Sequence, residues 1–192
     1  ALPTSYLTYI PNPDLSGFFI YNNKTFIFDQ VHLINPHHFI MKSLHPILAN
    51  LHSKLNDFEQ LNTTVSKSSV GWHIAHSLKT IDLIVTACKT SDPNKYQWKF
   101  KLNRFLIMDV LHKIPRGKAK APKVVQPESE ISKAALQLHL EKVHQNLENW
   151  KNLDPNVYFF HPYFGNLNKK ATEKFLVLHT QHHLKIMEDI LT

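Results

Sequence analysis

Hydrophobic residues follow helical spacing over most of this chain. From residue 44 onward they recur at alternating intervals of four and three residues, which places about one per turn on the same face of a helix. The three clearest series are Leu44, Leu48, Leu51, Leu55 and Phe58; Ile74, Leu78, Ile81, Val85 and Cys88; and Leu136, Leu140, Val143, Leu147 and Trp150. The pattern predicts long amphipathic helices that bury one face.

Capping residues and prolines predict the ends of these helices. Asn35 followed by Pro36 is a favourable helix start. Pro46 lies inside that pattern and predicts either a kink or a later start near Ser43. Further helices are expected over residues 68–89, 96–112, 128–150 and 168–191, with loops over 113–127 and 152–166. In the shortest of these helices, the residues expected to face inward are Leu102, Phe105, Leu106 and Val110.

The first 34 residues have a different pattern. Prolines at positions 3, 11 and 13 exclude a long helix, and the stretch GFFIYNNKTFIFD pairs two short β-prone runs around Asn22, Asn23 and Lys24 in the manner of a hairpin. We therefore predict an N-terminal arm over residues 1–34 and a helical domain over residues 35–192. The predicted fold class is all-α: a four-helix bundle with one short extra helix and an arm that contains a β-hairpin.

Composition narrows the class of protein. A chain of 192 residues with 43% hydrophobic residues is long enough for one domain with a substantial core. Four glycines argue against a glycine-rich phosphate loop. The single cysteine, Cys88, excludes an internal disulfide and is expected to be a buried small hydrophobe. Since no apolar run is long enough to span a bilayer and no signal peptide is visible, we expect a cytoplasmic protein.

The basic charge is concentrated in one segment. The formal net charge is +7, and residues 95–126 carry nine basic side chains and one acidic side chain. The loop in this segment holds a basic patch formed by Arg116, Lys118, Lys120 and Lys123. The segment is either a solvated surface or a binding site for nucleic acid or an acidic partner. Nucleic acid is disfavoured because the loop lacks aromatic residues and the helical stretch before it is expected to use its aromatic residues for packing. The three tryptophans, Trp72, Trp98 and Trp150, are expected in the core.

Histidine is unusually frequent, with 14 residues, and two of them lie on a helix seam. His179 and His183 continue an inward series with Leu176, Ile186 and Ile190. Burying unpartnered imidazoles costs about 1–3 kcal/mol for each unsatisfied group. A shared divalent metal ion would satisfy both rings, since neutral imidazole is a common metal ligand. The alternative is a pair of core histidines with protein hydrogen-bond partners.

A third metal ligand would have to come from a neighbouring helix. His76 is the best candidate because it lies on a second apolar stripe of its helix, with Trp72, Leu83 and Ala87. His73, one turn earlier, lies at the edge of that stripe and is expected to be exposed. Three histidines would leave at least one coordination position open, which is typical of a catalytic site. Zinc and nickel both suit imidazole ligands.

Four short motifs resemble a known family. They are GWHIAHSLK in the second long helix, the proline-rich connection IPRGKAKAP, HPYFGNLN before the last helix, and HTQHHLKIMEDI within it. Over residues 35–192 the chain resembles the DinB-like (YfiT-like) superfamily of metal-dependent four-helix-bundle proteins. The resemblance implies an up-down-down-up bundle with a metal ion held by His76, His179 and His183. It also implies a hydrolase, or a transferase that uses a low-molecular-weight thiol, acting on a small-molecule substrate.

Five further residues are candidates for supporting the ligands or lining the pocket: His182, His161, Tyr163, Trp72 and His139. His182 lies either behind the ligands or on the surface, and His139 either reaches the site or packs as a neutral core residue. His161 and Tyr163 either line the mouth of the pocket or stabilise a loop. The motifs contain no acidic residue placed to act as a general base.

The sequence leaves three functions open. The first is a metal-dependent hydrolase or transferase, and the second is a bundle that binds a metal or ligand without turnover. The third is a binder of nucleic acid or an acidic partner through residues 95–126. A homodimer that pairs through an exposed helix face is consistent with any of these.

Overall fold

The computed structural model of the protein describes the backbone of residues 8–11, 17–21, 24–28 and 36–43. It describes backbone and side chains over residues 44–117, 121–127 and 130–192. The chain divides into two compact units, Ala1–Pro36 and His37–Thr192.

The N-terminal unit contains a three-stranded antiparallel sheet. Its strands are β1 (Thr8–Pro11), β2 (Gly17–Tyr21) and β3 (Lys24–Phe28), in the order β1-β2-β3. Tyr21 pairs with Lys24, so β2 and β3 are joined through the two residues between them. This confirms the predicted hairpin, although Lys24, expected in the connection, is the first residue of β3. Strand β1 was not predicted from the sequence.

The second unit is mostly helical. Its α-helices are α1 (Pro36–Ser53), α2 (Val70–Thr90), the short α3 (Leu102–Arg104), α4 (Lys133–Glu148) and α5 (Lys169–Leu191). The backbone of α3 continues as a π-helix over Phe105–Leu111. Single 3₁₀ turns lie at Leu55–Asp57, Pro93–Lys95, Lys123–Val125 and Trp150–Asn152. Helix α2 packs against both α4 and α5, which makes it the central element of the unit.

The predicted hydrophobic series form the core of the helical unit. The members of the three series that are fully buried are Leu44, Leu48, Leu51, Leu55, Ile74, Leu78, Ile81, Val85, Cys88, Leu136, Leu140, Val143, Leu147 and Trp150. Phe58 is partly buried and packs against this cluster. The prediction of amphipathic helices with one buried face is therefore confirmed, as is the burial of Cys88. Burial raises the pKa of the Cys88 thiol to about 11, so this side chain stays protonated at neutral pH.

Capping residues define the starts of the two helices that carry the candidate histidines. The Ser69 side chain accepts a hydrogen bond from the Trp72 backbone N–H at the start of α2, and Asn168 accepts one from Ala171 at the start of α5. Both helices begin within one or two residues of their predicted starts. Helix α4 begins later than predicted because Ser132 caps it and accepts a hydrogen bond from Ala135.

The predicted helix over residues 96–112 is wrong in length and in facing. The helical backbone begins only at Leu102, and the four residues expected inside, Leu102, Phe105, Leu106 and Val110, are exposed. Met108 is the buried residue of this segment. A π-helix has i→i+5 hydrogen bonds, so a 3.6-residue spacing does not identify its buried face. Trp98, expected in the core, is 62% exposed in the extended stretch before α3.

The aromatic loop predicted over residues 152–166 contains a second, two-stranded sheet. Strands β4 (Tyr158–His161) and β5 (Gly165–Asn168) pair antiparallel immediately before α5. Gly165 has φ +72°, a left-handed conformation that glycine adopts without steric cost. Phe159 and Phe164 are buried, as expected for this loop, whereas Phe160 and Tyr163 are exposed. The hairpin holds the first residues of α5 in place.

Across the stretches that the structure describes, no helix combines the length and apolarity needed to span a bilayer.

Candidate metal centre

Three histidine side chains meet between α2 and α5. His76 comes from α2, and His179 and His183 come from consecutive turns of α5. Each offers one ring nitrogen, and these three nitrogens lie within 4.8 Å of one another. His76 and His183 are buried, and His179 is partly buried. This cluster could hold a metal ion, and it consists of the three residues that the sequence analysis identified as candidate ligands.

The spacing of the nitrogens matches what a small divalent ion requires. The Nε2 atoms of His76 and His179 are 3.3 Å apart. Two nitrogens bound to zinc at about 2.0–2.1 Å with a tetrahedral angle are about 3.3–3.4 Å apart. The ring centroids of His183 lie 4.6 Å from His76 and 4.7 Å from His179, so the third ring completes a compact triangle. A small shift of side chains would therefore be enough to bring all three nitrogens onto one ion.

The His76 ring is held in one orientation from both sides. Its Nδ1–H donates to the backbone carbonyl of Val125 at 2.9 Å. The indole of Trp72, one turn earlier on α2, stacks on the imidazole with centroids 4.9 Å apart and planes at 12°. Because Nδ1 carries the proton, the lone pair of Nε2 points into the cluster. The carbonyl of a 3₁₀ turn thus sets the tautomer of a helix residue, a common arrangement for histidine ligands.

A hydrogen-bonded chain supports His183 from behind. The Nδ1 atoms of His183 and His73 are 3.0 Å apart, and Nε2 of His73 lies 3.0 Å from the hydroxyl of Ser66. Ser66 Oγ also accepts a hydrogen bond from the backbone N–H of Ser68. One Nδ1 must donate to the other, so this chain of contacts couples the tautomers of the two rings. It leaves Nε2 of His183 free to face the cluster.

His179 has an unsatisfied nitrogen. Among the side chains that the structure describes, its Nδ1 is buried and has no hydrogen-bond partner. The ring packs against Phe175 at 5.5 Å between centroids. A buried polar atom without a partner costs about 1–3 kcal/mol. The other nitrogen of this ring, Nε2, contacts Nε2 of His76 in the cluster.

Burial keeps the cluster neutral. It lowers the pKa of His179 and His183 well below the usual histidine value, and the neighbouring imidazoles lower it further. The pKa of His76 is lowered by burial, partly offset by its bond to Val125. Burial and the proximity of His76 lower the pKa of His73 to about 4. Neutral imidazoles are the form that binds metal ions, so at neutral pH no proton has to leave before an ion binds.

The other residues singled out in the sequence lie at different distances from the cluster. Trp72 stacks on His76, as described above, and the ring of His182 lies 5.2 Å from that of His183. His161 packs between Phe164 and Phe175, and the latter ring contacts His179. Tyr163 is exposed beside His161. His139 lies near Asp82, with 3.7 Å between Nε2 and the carboxylate, and is not among the cluster residues.

The basic patch is described only in part. Arg116 forms an ion pair with Asp189 of α5 at 2.6 Å, and Lys123 is exposed in its 3₁₀ turn. Lys118 and Lys120 lie outside the described residues.

Two contributors to the centre were missed by sequence reasoning. His73 was expected to be exposed and is only 4% exposed, so that expectation is wrong. Its spacing of three residues from His76 places both rings on the same side of α2, and this signal alone could have identified it. The carbonyl of Val125 had no such signal, because any residue of the connection supplies a carbonyl.

Fold and site together define a mostly helical protein with a three-histidine cluster that could hold a metal ion. The chain belongs to the family described as protein of unknown function DUF1569, whose model matches residues 41–190. The matched region includes all three cluster histidines, His73 and Val125. No curated protein and no solved structure matches the chain.

Proposed function

We propose that His76, His179 and His183 bind a divalent metal ion, zinc or nickel. The observation that carries the proposal is the convergence of three neutral imidazoles from two helices, with two Nε2 atoms at 3.3 Å. Two further features support it. His76 is oriented by Val125, and His183 is oriented by His73.

We further propose that the centre is catalytic and belongs to a DinB-like four-helix bundle. Three protein ligands leave room for a substrate atom at the metal, unlike the four of a closed structural site. When bound, the ion would supply a Lewis acid that polarises an oxygen or sulfur atom of a small molecule. The family resemblance favours a hydrolase or a thiol-linked transferase. A metal-binding bundle without turnover is the alternative.

In this proposal the protein orients the ligand rings and excludes water from the centre. Trp72 and Phe175 wall the centre with aromatic rings, and Val125 and His73 hold two of the ligand rings. Within the described part of the chain, the cluster contains no carboxylate. Proton exchange with a substrate would therefore fall to an imidazole rather than to an aspartate or glutamate.

Elemental analysis of untagged protein, purified without added metal, tests the centre. We expect close to one equivalent of zinc or nickel per chain in the wild type, and a loss of that metal in the His179→Ala, His183→Ala double variant. The matched control is the His45→Ala, His144→Ala double variant, which also removes two histidines. These two rings stack on each other at 5.9 Å, outside the cluster. Absence of metal in the wild type, with none taken up on dialysis against zinc or nickel, would overturn the proposal.

One observation favours a second function, the binding of nucleic acid. Trp98 and Phe100 are 62% and 60% exposed within the most basic segment of the chain, and the guanidinium of Arg104 lies 5.5 Å from the Trp98 ring. Exposed aromatic rings beside basic side chains are what single-strand binders use to stack bases.

Fluorescence anisotropy with a labelled single-stranded oligonucleotide tests this second function. Binding through this segment should weaken steeply with salt and lose about tenfold in affinity in Trp98→Ala, because base stacking contributes about 1–3 kcal/mol. Tyr163→Ala removes an exposed aromatic ring of the β4–β5 hairpin and serves as the control. Equal losses in the two variants would rule out this segment as the binding surface.

A further inference from the structure

A cleft of about 650 Å³ lies beside the metal centre. One wall is formed by Leu111, the last residue of the π-helix, and the segment 112–116 that follows it, and the other is the outer face of α5. Its volume is in the range of small-molecule sites. The cleft is separate from the cluster, since none of the three ligand candidates lines it, but it contains His182.

The walls of this cleft carry an excess of positive charge. Lys113, Arg116 and Lys185 line it, and among the described residues Asp189 is the carboxylate on its walls. Asp189 is engaged by Arg116 at 2.6 Å, so the described part of the cleft wall offers no further carboxylate to the two lysines. Apolar side chains, including Leu111, Ile114 and Leu178, also line the cleft, together with the uncharged polar side chain of Gln181 and two histidines, His112 and His182. A cleft with cations at one place and apolar surface at another fits a molecule with an acid group and an apolar body.

His182 is the residue that links the cleft to the metal centre. The imidazole of His182 lines the cleft and lies 5.2 Å from the ring of His183. His182 therefore connects the cleft to one of the candidate ligands.

The backbone that forms one wall has an unusual conformation. Seven residues, Phe105–Leu111, are π-helical, and His112 ends them with φ 46° and ψ 34°, in the left-handed region. A non-glycine residue in this region is uncommon, and π-helical turns are found frequently at functional sites. Here the two features direct the chain so that residues 113–116 run along α5, where Lys113 and Arg116 line the cleft.

We infer that this cleft binds the acid group, a carboxylate or a phosphate, of a small molecule whose remaining part reaches the centre past His182. The inference rests on the proposed function for what happens to that molecule at the centre. The recognition of the anion does not need the metal. The substrate class is thus a small organic acid or phosphate ester with an apolar portion.

Titration with 8-anilinonaphthalene-1-sulfonate, an anionic and apolar fluorophore, tests the inference. We expect saturable binding that weakens about tenfold in the Lys113→Gln, Lys185→Gln double variant, because a charge-assisted contact is lost. Asp189→Asn should bind the probe more tightly, since it removes the carboxylate that the described residues contribute to the cleft. The control is the Lys151→Gln, Lys170→Gln double variant, whose lysines are exposed away from the cleft. Thermal unfolding of each variant verifies that it is folded.

Displacement of the probe identifies the acid group. Hexyl phosphate, hexanoate and hexanol are compared as competitors of the probe. The two anions should displace the probe and the neutral alcohol should not. The anion that displaces the probe at the lower concentration identifies the acid group, phosphate or carboxylate, that the cleft prefers. Repeating the titration on the His179→Ala, His183→Ala variant separates the two proposals. Probe binding by this variant, which lacks two of the proposed ligands, would support the anion site in the cleft even if the metal proposal fails. No saturable binding, equal losses in the control, or no tightening in Asp189→Asn would overturn the inference.

Discussion

Zinc is expected to raise the unfolding temperature of the wild-type protein by roughly 8–16 °C when free zinc is about a thousand times its dissociation constant. At that ratio, binding to the folded state alone adds about 4 kcal/mol of stability. Each kcal/mol shifts the midpoint of a domain of this size by about 2–4 °C. The ion should bind the folded state selectively because His76 and His179 are 103 residues apart in sequence and meet only when α2 packs on α5.

The same measurement on single variants tests which residues are ligands. His76→Ala, His179→Ala and His183→Ala should each lose most of the zinc-dependent shift, because two imidazoles bind zinc far more weakly than three. The unfolded chain also has many histidines, which reduces the shift for every variant by a similar amount. His45→Ala with His144→Ala should therefore keep the wild-type response. Undiminished shifts in all three single variants would mean that zinc binds elsewhere.

The helices that carry the cluster were predictable because two independent signals agree. In α2, the inward series from Ile74 to Cys88 and the capping serine at position 69 define the same segment. In α5, Asn168 marks the start, and the seam predicts that His179 and His183 face a neighbouring helix. The periodicity predicts which face of the helix is buried, and the capping residue predicts where the helix begins. Both signals are local properties of the sequence.

The segments between the long helices were harder to predict for equally physical reasons. The π-helix at Phe105–Leu111 has a period that the helical pattern does not represent, so its facing was wrong. The β4–β5 hairpin has no Asn-Gly or Gly-Gly signal, and its pairing depends on packing against the following helix.

The candidate site was predictable where residues share a helix and not where they come from the connections. His179 and His183 are one turn apart on α5, which the spacing alone requires. The carbonyl of Val125 that orients His76 comes from a chain segment 49 residues away, and its position depends on how the connection folds over α2. The same spacing argument applies to His73, but its position at the edge of the apolar stripe on α2 predicts exposure, which the structure contradicts.

Replacing His73 by phenylalanine is expected to weaken zinc affinity by about 10–100-fold, although His73 is not one of the three ligands. Loss of a group that orients a metal-binding histidine has effects of that size. In the proposed arrangement, Nδ1–H of His183 donates to Nδ1 of His73, and Nε2–H of His73 donates to Ser66. Phenylalanine fills the same space but accepts no hydrogen bond, so His183 would lose the contact that fixes its tautomer and presents Nε2 to the ion.

Two readouts separate positioning from a general loss of packing. Zinc affinity is measured by competition with a chelator, and the tautomer of His183 by ¹⁵N NMR of the zinc-bound protein. His73→Gln should recover part of the affinity, because its amide can accept from His183 and donate to Ser66. His139→Phe, at the half-buried histidine beside Asp82, should leave affinity unchanged. If His73→Phe and His73→Gln were equally weak and the His183 tautomer did not change, the role of His73 would be packing alone. The hydrogen-bonded chain from Ser66 would then not act on the metal centre.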